Sequence, residues 1–299
     1  MSVNAGRVTI ITVTHNGAAV IGSMVESIPA ELPLIVIDNA SKDNTLSIIE
    51  QIRPDAMILQ NAVGLGYGNA MNIGLRNVAT EFALLTNPDT IISEEAIDLL
   101  VETALTFQDA GLVGPKVLTP AGEVEPSFDV ELHKRKDYGK RGGETLPEGP
   151  VCVDSLSGAV VLARMQCLRD IGFFDPAYFL YFEDEDMCMT IRRNQHSLIF
   201  DPKAVISHFG GGSVPATTSY HWEKFWHMSW SRLYYERKHR GLFSALGVFI
   251  REMPKFALKA LGYGLILKPE KSRRDAARCL GMIAYMVGIR ASRADKLGE

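Results

Sequence analysis

Two periodicities divide the chain. In the first hundred residues, short uninterrupted apolar runs alternate with stretches whose apolar residues recur every three or four positions. Val8–Thr14 (VTIITVT) is a β-branched run that stops at the turn signal His15-Asn16-Gly17, so a strand is expected there. Residues 18–28 carry helical spacing, and residues 34–37 (LIVI) form a second buried-type strand that ends in Asp38-Asn39-Ala40-Ser41. Residues 43–52 follow as a helix with Asp43 as candidate cap. Met57–Gln60 reads as a third strand, residues 68–78 as a helix, and Phe82–Thr86 as a fourth strand ending in Asn87-Pro88-Asp89-Thr90. Residues 93–107 make a well-patterned helix capped by Ser93, with acidic residues in its first turn.

Continuous apolar strands alternating with helices predict an α/β fold, a mostly parallel sheet flanked by helices. Such sheets bind ligands at the carboxyl ends of their strands. The polar clusters His15-Asn16, Asp38-Asn39 and Asn87-Pro88-Asp89 all fall at such ends. From about residue 112 the rhythm changes. Residues 111–118 and 151–163 read as further strands, and the Lys-, Arg-, Gly- and Pro-rich segment 130–150 reads as a long mobile loop between them. Helical periodicity dominates from Tyr220 onward, where Trp222, Trp226 and Trp230 recur every fourth position in the manner of a packed stripe. The expected organisation is one α/β domain over 1–215, with halves of about 1–110 and 111–215, and a helical C-terminal extension over 216–299.

Composition removes several classes. With 46% hydrophobic and 22% charged residues, 26 Gly and 14 Pro, the chain is neither disordered nor collagen-like. A net charge of -4 and a pI near 6.0 give no sign of nucleic-acid binding. The mean hides an asymmetry: fourteen Lys and Arg against four Asp and Glu lie between Arg232 and Arg293, attached to an acidic remainder. The longest uncharged stretches of this basic segment, 241–250 and 279–289, fall short of the ~18 residues of a spanning helix. The expectation for this region is a surface that lies on a membrane rather than crossing it. Cys152, Cys167, Cys188 and Cys279 include no C-x-x-C pair, and Met1–Asn16 shows no leader pattern, so a reducing, cytoplasmic setting is expected.

Four motifs carry chemistry. Gly64-Leu65-Gly66-Tyr67-Gly68 departs from the dinucleotide pattern G-x-G-x-x-G and follows the third strand, so a dehydrogenase is disfavoured. It fits a loop that brings backbone N–H groups near a nucleotide. Asp89 of Asn87-Pro88-Asp89 could hold a divalent cation beside a diphosphate, while an Asx-Pro turn explains the same residues. Glu183-Asp184-Glu185-Asp186, flanked by Tyr178–Phe182 and Met187–Met189, fits either a capped helix start or a carboxylate of raised pKa suited to a general base. His208, ending the apolar run 204–207 before a glycine-rich segment, could offer an imidazole to a metal or simply hydrogen-bond in a loop.

Taken in order, Thr12–Asn16, Ile37–Ser41, Asn61 through Asn72-Ile73-Gly74, Asn87–Thr90, Gly172-Phe173-Phe174-Asp175, Phe182–Asp186 and His208-x-x-Gly-Gly-Ser213 resemble the family 2 inverting glycosyltransferases of GT-A fold, over residues 7–215. The nearest pattern is the bacterial rhamnosyltransferase-like branch. The resemblance implies that Asp38 reads a pyrimidine ring, with Thr14 and Asn16 beside the base. It implies that Gly66, Asn69 and Asn72 lie near base, ribose and donor. It also implies that Asn87 and Asp89 occupy the metal motif, that His208 can join the metal shell, and that Asp184 is the catalytic base. Asn87 stands where the motif often has a carboxylate, and His15 where it usually has an aromatic residue. The implied cofactor is a divalent metal, Mg²⁺ or Mn²⁺. The implied donor is a dTDP- or UDP-linked sugar, with dTDP-rhamnose first and UDP-galactofuranose, UDP-galactose or UDP-GlcNAc behind it. The implied acceptor is a glycan or a polyprenyl-linked glycan at the cytoplasmic face of the inner membrane. A sugar-nucleotide-binding partner subunit without activity is the alternative, a hydrolase with paired carboxylates a remoter one, and a homo-oligomer is left open.

Overall fold

The computed structural model describes residues 6–129, 146–209 and 218–292. The expected loop at 130–150 and the glycines after Phe209 therefore lie largely outside the described residues. Strands β1 (Val8–Thr14), β2 (Leu34–Asp38), β3 (Met57–Gln60) and β4 (Phe82–Thr86) form where the apolar runs predict them. Between them come α1 (Ile21–Ser27), α2 (Thr45–Ile52) and α3 (Tyr67–Leu75). Then follow β5 (Thr90–Ile91), α4 (Glu94–Thr106), β6 (Ala110–Leu118) and β7 (Phe128–Asp129). The chain continues through β8 (Val151–Cys152), β9 (Ser155–Leu156), β10 (Val160–Arg164), α5 (Met165–Ile171), α6 (Glu183–Arg193) and β11 (Ser197–His208). Helices α7 (Thr218–Arg240), α8 (Leu242–Leu265) and α9 (Pro269–Met286) complete it.

Among the described residues the main sheet runs β3-β2-β1-β4-β10-β6-β11-β5, with β8 on β11. The four leading strands pair in parallel, as continuous apolar runs require. Beyond β4 the sheet is mixed: β10 is antiparallel to both β4 and β6, while β6 and β11 are parallel. The single strand expected over 151–163 is instead three short ones. The backbone N–H groups of Val153, Asp154 and Ser157 donate to Leu198, Asp129 and Ser127, so successive pieces pair with different partners. The cap expectations hold in altered form. Ser93 Oγ accepts from Ala96 N at 3.2 Å, and Asp43 lies just ahead of α2, where it accepts from Thr45 N at 3.2 Å.

The chain forms two compact units. The first comprises Met1–Gly64, Ala70–Phe174 and Met187–Val214; the second comprises Leu65–Asn69, Asp175–Asp186 and Pro215–Glu299. The second is thus more than the C-terminal segment, since it also takes the glycine loop and the acidic run. The first unit's core packs α1 and α4 on the sheet through Met24, Val25, Ile97 and Leu100 against Val8, Ile10, Phe82 and Leu84. In the second, Leu233, Val248 and Met282 of α7, α8 and α9 meet. Trp230 is buried, stacks on Tyr234 and donates its indole N–H to Ile289 O at 2.7 Å, whereas Trp222 and Trp226 are half-buried. Among the described residues no helix is long and apolar enough to cross a membrane.

Gly281 lets α9 approach α7, because a Cβ there would collide with the Trp226 carbonyl oxygen. Backbone cannot give way as a side chain does, so Gly281→Ala is expected to destabilise the protein by roughly 1–3 kcal/mol. Thermal unfolding of the variant against wild type measures this.

Candidate active site

In the first unit, the parallel register sets Thr14 beside Asp38 at the carboxyl ends of β1 and β2. Asp38 is buried, and its carboxylate accepts the Ser41 amide at 3.2 and 3.3 Å, closing the turn that leaves β2. Asn39 N donates to Thr14 O at 2.8 Å, and Asn61 N donates to Asp38 O at 2.8 Å, so three strand ends are laced together. Thr14 Oγ1 is buried without a hydrogen-bond partner, a condition that favours a ligand able to supply one. Asn16 adopts a left-handed φ of 51°, and its side chain reaches the turn after β2: Oδ1 accepts Lys42 N at 2.8 Å. His15 Nδ1 lies 2.8 Å from Asn39 O, which can only accept, so Nδ1 carries the proton. Its Nε2 then accepts from Asn16 Nδ2 at 3.0 Å. Sequence reading gave His15 no role, yet with Asn16 it joins the β1 and β2 turns. Asn72 lies on α3 in the same unit. It clasps Phe174 through both amide atoms, donating to its carbonyl at 2.8 Å and accepting from its N–H at 3.0 Å. Its amide is thereby spent on backbone rather than presented to a donor.

Asp89 and His208 come together where β5 meets β11, with His208 opposite Thr90 in the register. His208 Nε2 stands 3.2 Å from Asp89 Oδ1, and Nδ1 stands 3.1 Å from Glu125 Oε2. Burial pulls the His208 pKa down, but hydrogen bonds to the two carboxylates and their charges outweigh it and raise the value to about 9. Glu125 was missed in the sequence because no spacing rule ties it to strands 80 residues apart; only the fold does. Asn87 forms the turn between β4 and β5, its N–H donating to Ala159 O at 2.8 Å and its carbonyl accepting Thr90 Oγ1 at 3.0 Å.

The second unit holds the glycine loop and the acidic run. Gly66 has φ 84°, and a Cβ on it would strike the Phe179 carbonyl oxygen, so the loop tolerates only glycine there. Tyr67 N donates to that same carbonyl at 3.1 Å. Asn69 Nδ2 donates to Tyr178 O at 2.9 Å and so fixes the loop rather than facing it outward. Tyr181 and Phe182 both have left-handed φ values, 68° and 71°, just before α6. Each costs of order 1–2 kcal/mol for a non-glycine residue, so this turn persists only because its surroundings hold it. The expected carboxylate of raised pKa is found here, and it is Glu183. Burial, then the charges of Asp184 and Asp186, push it well above the ordinary range, and its Oε2 lacks a hydrogen-bond partner. Tyr67 is pushed up as well, by burial and by Glu183 and Asp184. Asp184 itself is half-buried in the first turn of α6.

The family model described as glycosyltransferase-like family 2 matches residues 5–229. The chain belongs to this glycosyltransferase family. Among its relatives is the N-acetylglucosaminyl-diphospho-decaprenol L-rhamnosyltransferase of Mycobacterium tuberculosis, 26% identical over a match covering 61% of this chain and 68% of that one. The poly-β-1,6-N-acetyl-D-glucosamine synthase of Staphylococcus epidermidis is 22% identical, the match covering 58% of this chain and 42% of the relative. Solved structures share the GT-A fold. The mannosyltransferase PcManGT of Pyrobaculum calidifontis, in complex with GDP-Man and Mn²⁺, aligns at TM-score 0.55 and 18% identity, covering 94% of this chain and 87% of that one. TarS 1–349 of Staphylococcus aureus in complex with UDP aligns at 0.54 and 16%, covering 94% and 92%.

For a divalent cation, this glycosyltransferase offers a carboxylate and an imidazole in Asp89 and His208, a chemically suitable pair. Glu125 approaches the other ring nitrogen, and among the described residues no group of three or more such side chains is arranged to hold an ion alone. The residues therefore fit a metal that takes its remaining oxygens from a diphosphate. A metal held there would need His208 as the neutral imidazole.

Behind the glycine loop, His227 stacks on Phe179 with ring centroids 4.5 Å apart. Burial lowers its pKa from 6.5 to about 4. Between those values the unfolded chain binds more protons than the folded one, so stability is full above pH 6.5 and falls as pH drops toward 4. The His227 contribution is expected to lower stability by about 2 kcal/mol at pH 5 relative to pH 7. Urea unfolding of wild type and His227→Leu at both pH values isolates it: the variant should lose that increment of pH dependence.

Proposed function

We propose that this glycosyltransferase transfers a sugar, with inversion, from a pyrimidine nucleotide-diphosphate donor to a glycan or polyprenyl-linked glycan. dTDP-L-rhamnose is the first candidate donor, because the mycobacterial relative is named for L-rhamnose transfer to a decaprenyl-diphosphate-linked sugar. The observation that carries the reading is the Asp89–His208 pair at 3.2 Å, a two-ligand site suited to a cation shared with a diphosphate. Asp38 and the open Thr14 hydroxyl at the ends of β1 and β2 supply polar groups for a base and ribose. When bound, the metal would neutralise charge developing on the leaving diphosphate. Asp184 takes the proton of the acceptor hydroxyl as its oxygen bonds to the anomeric carbon. The bond from that carbon to the diphosphate oxygen breaks, and its electron pair leaves with the nucleotide. One displacement inverts the centre and needs no covalent enzyme intermediate. A UDP-sugar donor is the second reading, since the staphylococcal relative is named for a polymer of N-acetylglucosamine.

The same reading sets the enzyme on the cytoplasmic face of a membrane through its C-terminal helices. Phe243, Ile250, Leu258, Leu261 and Leu265 recur along one face of α8, and Phe243 and Leu265 are 88% and 84% exposed. The stripe is roughly 33 Å long at 1.5 Å per residue. Exposed Arg251, Lys255 and Lys259 border it, and Leu267, Lys268 and Lys271 prolong it. An apolar stripe edged with cations suits an anionic lipid surface, which the helix would enter lying flat.

Two experiments test the reading. Calorimetry with dTDP, UDP, GDP and CDP, with and without Mn²⁺ or Mg²⁺, should show a pyrimidine diphosphate binding best with metal. Asp89→Ala should weaken that binding at least about tenfold. Asp184→Asn should bind normally while transfer falls roughly 10²–10⁴-fold; equal loss of both would remove Asp184 from the base role. On phosphatidylglycerol vesicles, wild type should co-sediment and the triple variant Leu258→Ser/Leu261→Ser/Leu265→Ser should stay in the supernatant. A wild type that ignores vesicles and forms dimers, broken by the triple variant, would make the stripe a subunit interface instead.

A further inference from the structure

The side chain that precedes the helix carrying Asp184 cannot cap it. Its first residue follows Phe182, whose side chain cannot accept a hydrogen bond and whose backbone is left-handed at φ 71°. Alongside the Tyr178 hydroxyl, which donates to Asp186 at 3.2 Å, α7 holds the helix start. Ser231, Tyr234, Tyr235, Lys238 and His239 recur at the spacing of one helix face, and all five meet the segment 175–186 within the second unit. Ser231 Oγ donates to Leu180 O at 3.1 Å, and the Tyr235 ring packs on Phe182 with centroids 5.6 Å apart. Lys238 Nζ bridges two carboxylates, 2.6 Å from Asp175 and 2.8 Å from Asp186. His239 Nε2 lies 2.6 Å from the other oxygen of Asp186, and Tyr234 donates to Asp175 at 3.0 Å. Asp186 is 3% exposed, and its N–H closes the first helical bond to Phe182 O at 2.8 Å.

We propose that Lys238 and His239 are positioning residues for the transfer reaction: by gripping Asp186 they fix the first turn of α6, and with it the carboxylate of Asp184. The proposal rests on the base role of Asp184 set out above. A carboxylate two residues away on the same helical turn moves with Asp186, and a displacement of about 1 Å suffices to lose on the order of a hundredfold in rate. The C-terminal helices on this account complete the catalytic helix. They do so by contacts to the side of Asp186 and Asp175, leaving Asp184 half-buried.

The test separates positioning from folding and from the base assignment. In Lys238→Met and His239→Leu, kcat should fall 10- to 100-fold, while the donor KM and the Kd for dTDP or UDP with Mn²⁺ stay within about twofold. Lys238→Arg and His239→Gln, which keep a donor toward Asp186, should recover most of the rate. Hydrogen exchange of the peptide 179–187 should quicken in the impaired variants, and that of β1 should not. Tyr234→Phe removes only a hydroxyl from Asp175 and gives a smaller loss of the same kind, readable if the Lys238 variant does not fold. Asp184→Asn is measured alongside. If it is inactive while folded Lys238→Met and His239→Leu keep full kcat with unchanged exchange, the positioning proposal fails and the base reading stands. If Asp184→Asn is fully active, the base reading fails first. Nucleotide affinity falling together with kcat in the Lys238 and His239 variants also overturns the proposal.

Discussion

A carboxylate removed from water remains charged only where other groups supply what water gave it. Asp186 meets that condition through Lys238, His239 and the Tyr178 hydroxyl, which donates at 3.2 Å. Burial raises the Lys238 cost of charge as well, and the two carboxylates more than offset it, leaving the lysine pKa raised and that of Asp175 lowered. Removing one member of such a cluster leaves a buried charge uncompensated, and that penalty exceeds what the intact cluster adds. This is why the arrangement confers geometry more than stability. It demands one placement of α7 beside the turn 175–186, and the unusual backbone at Tyr181 and Phe182 survives inside that demand.

Asp89 meets the same condition differently. It too is almost fully buried, at 2% exposure, but its partner is a histidine shared with Glu125. A histidine can give up its proton where a lysine so clamped does not, so the Asp89–His208 pair can exchange a proton for a cation. The two buried acids thus do different work: one is fixed by a permanent cation from α7, the other is held by a replaceable one. That difference is what separates a structural ion cluster from a candidate metal pair, although a count of charges alone would rank them equally.

The half of the fold built on parallel strands was legible because each buried strand is a continuous apolar run and each run ends in polar residues. β1, β3 and β4 start and stop where the pattern says, and Thr14, Asp38 and Asp89 lie at strand ends for the same reason. Residues 151–163 were not legible, because β8, β9 and β10 change partners within one apolar stretch. Glu125, Lys238 and His239 escaped for a different reason. Each meets its partner across 52 or more positions of chain, and a basic helix end such as Arg237–Arg240 reads in sequence as an ordinary solvated terminus. The resemblance implies a place near base, ribose and donor for Asn69 and Asn72. Their amides turned out to hold backbone, a use that no spacing distinguishes from ligand binding.

The acidic run shows how environment sorts four like residues. Read as a string, Glu183-Asp184-Glu185-Asp186 is four negative charges on one helical turn, which the helix dipole offsets only in part. In the fold the run is not that. Glu183 is buried, and that burial, with the charges of Asp184 and Asp186, raises its pKa. Asp186 is charged but matched by Lys238 and His239. Asp184 and Glu185 are both half-buried. A general base needs an ionised oxygen that substrate can reach, on a support that does not move. On the base role proposed for Asp184, buried Glu183 on one side and Asp186 held by Lys238 and His239 on the other give it that support.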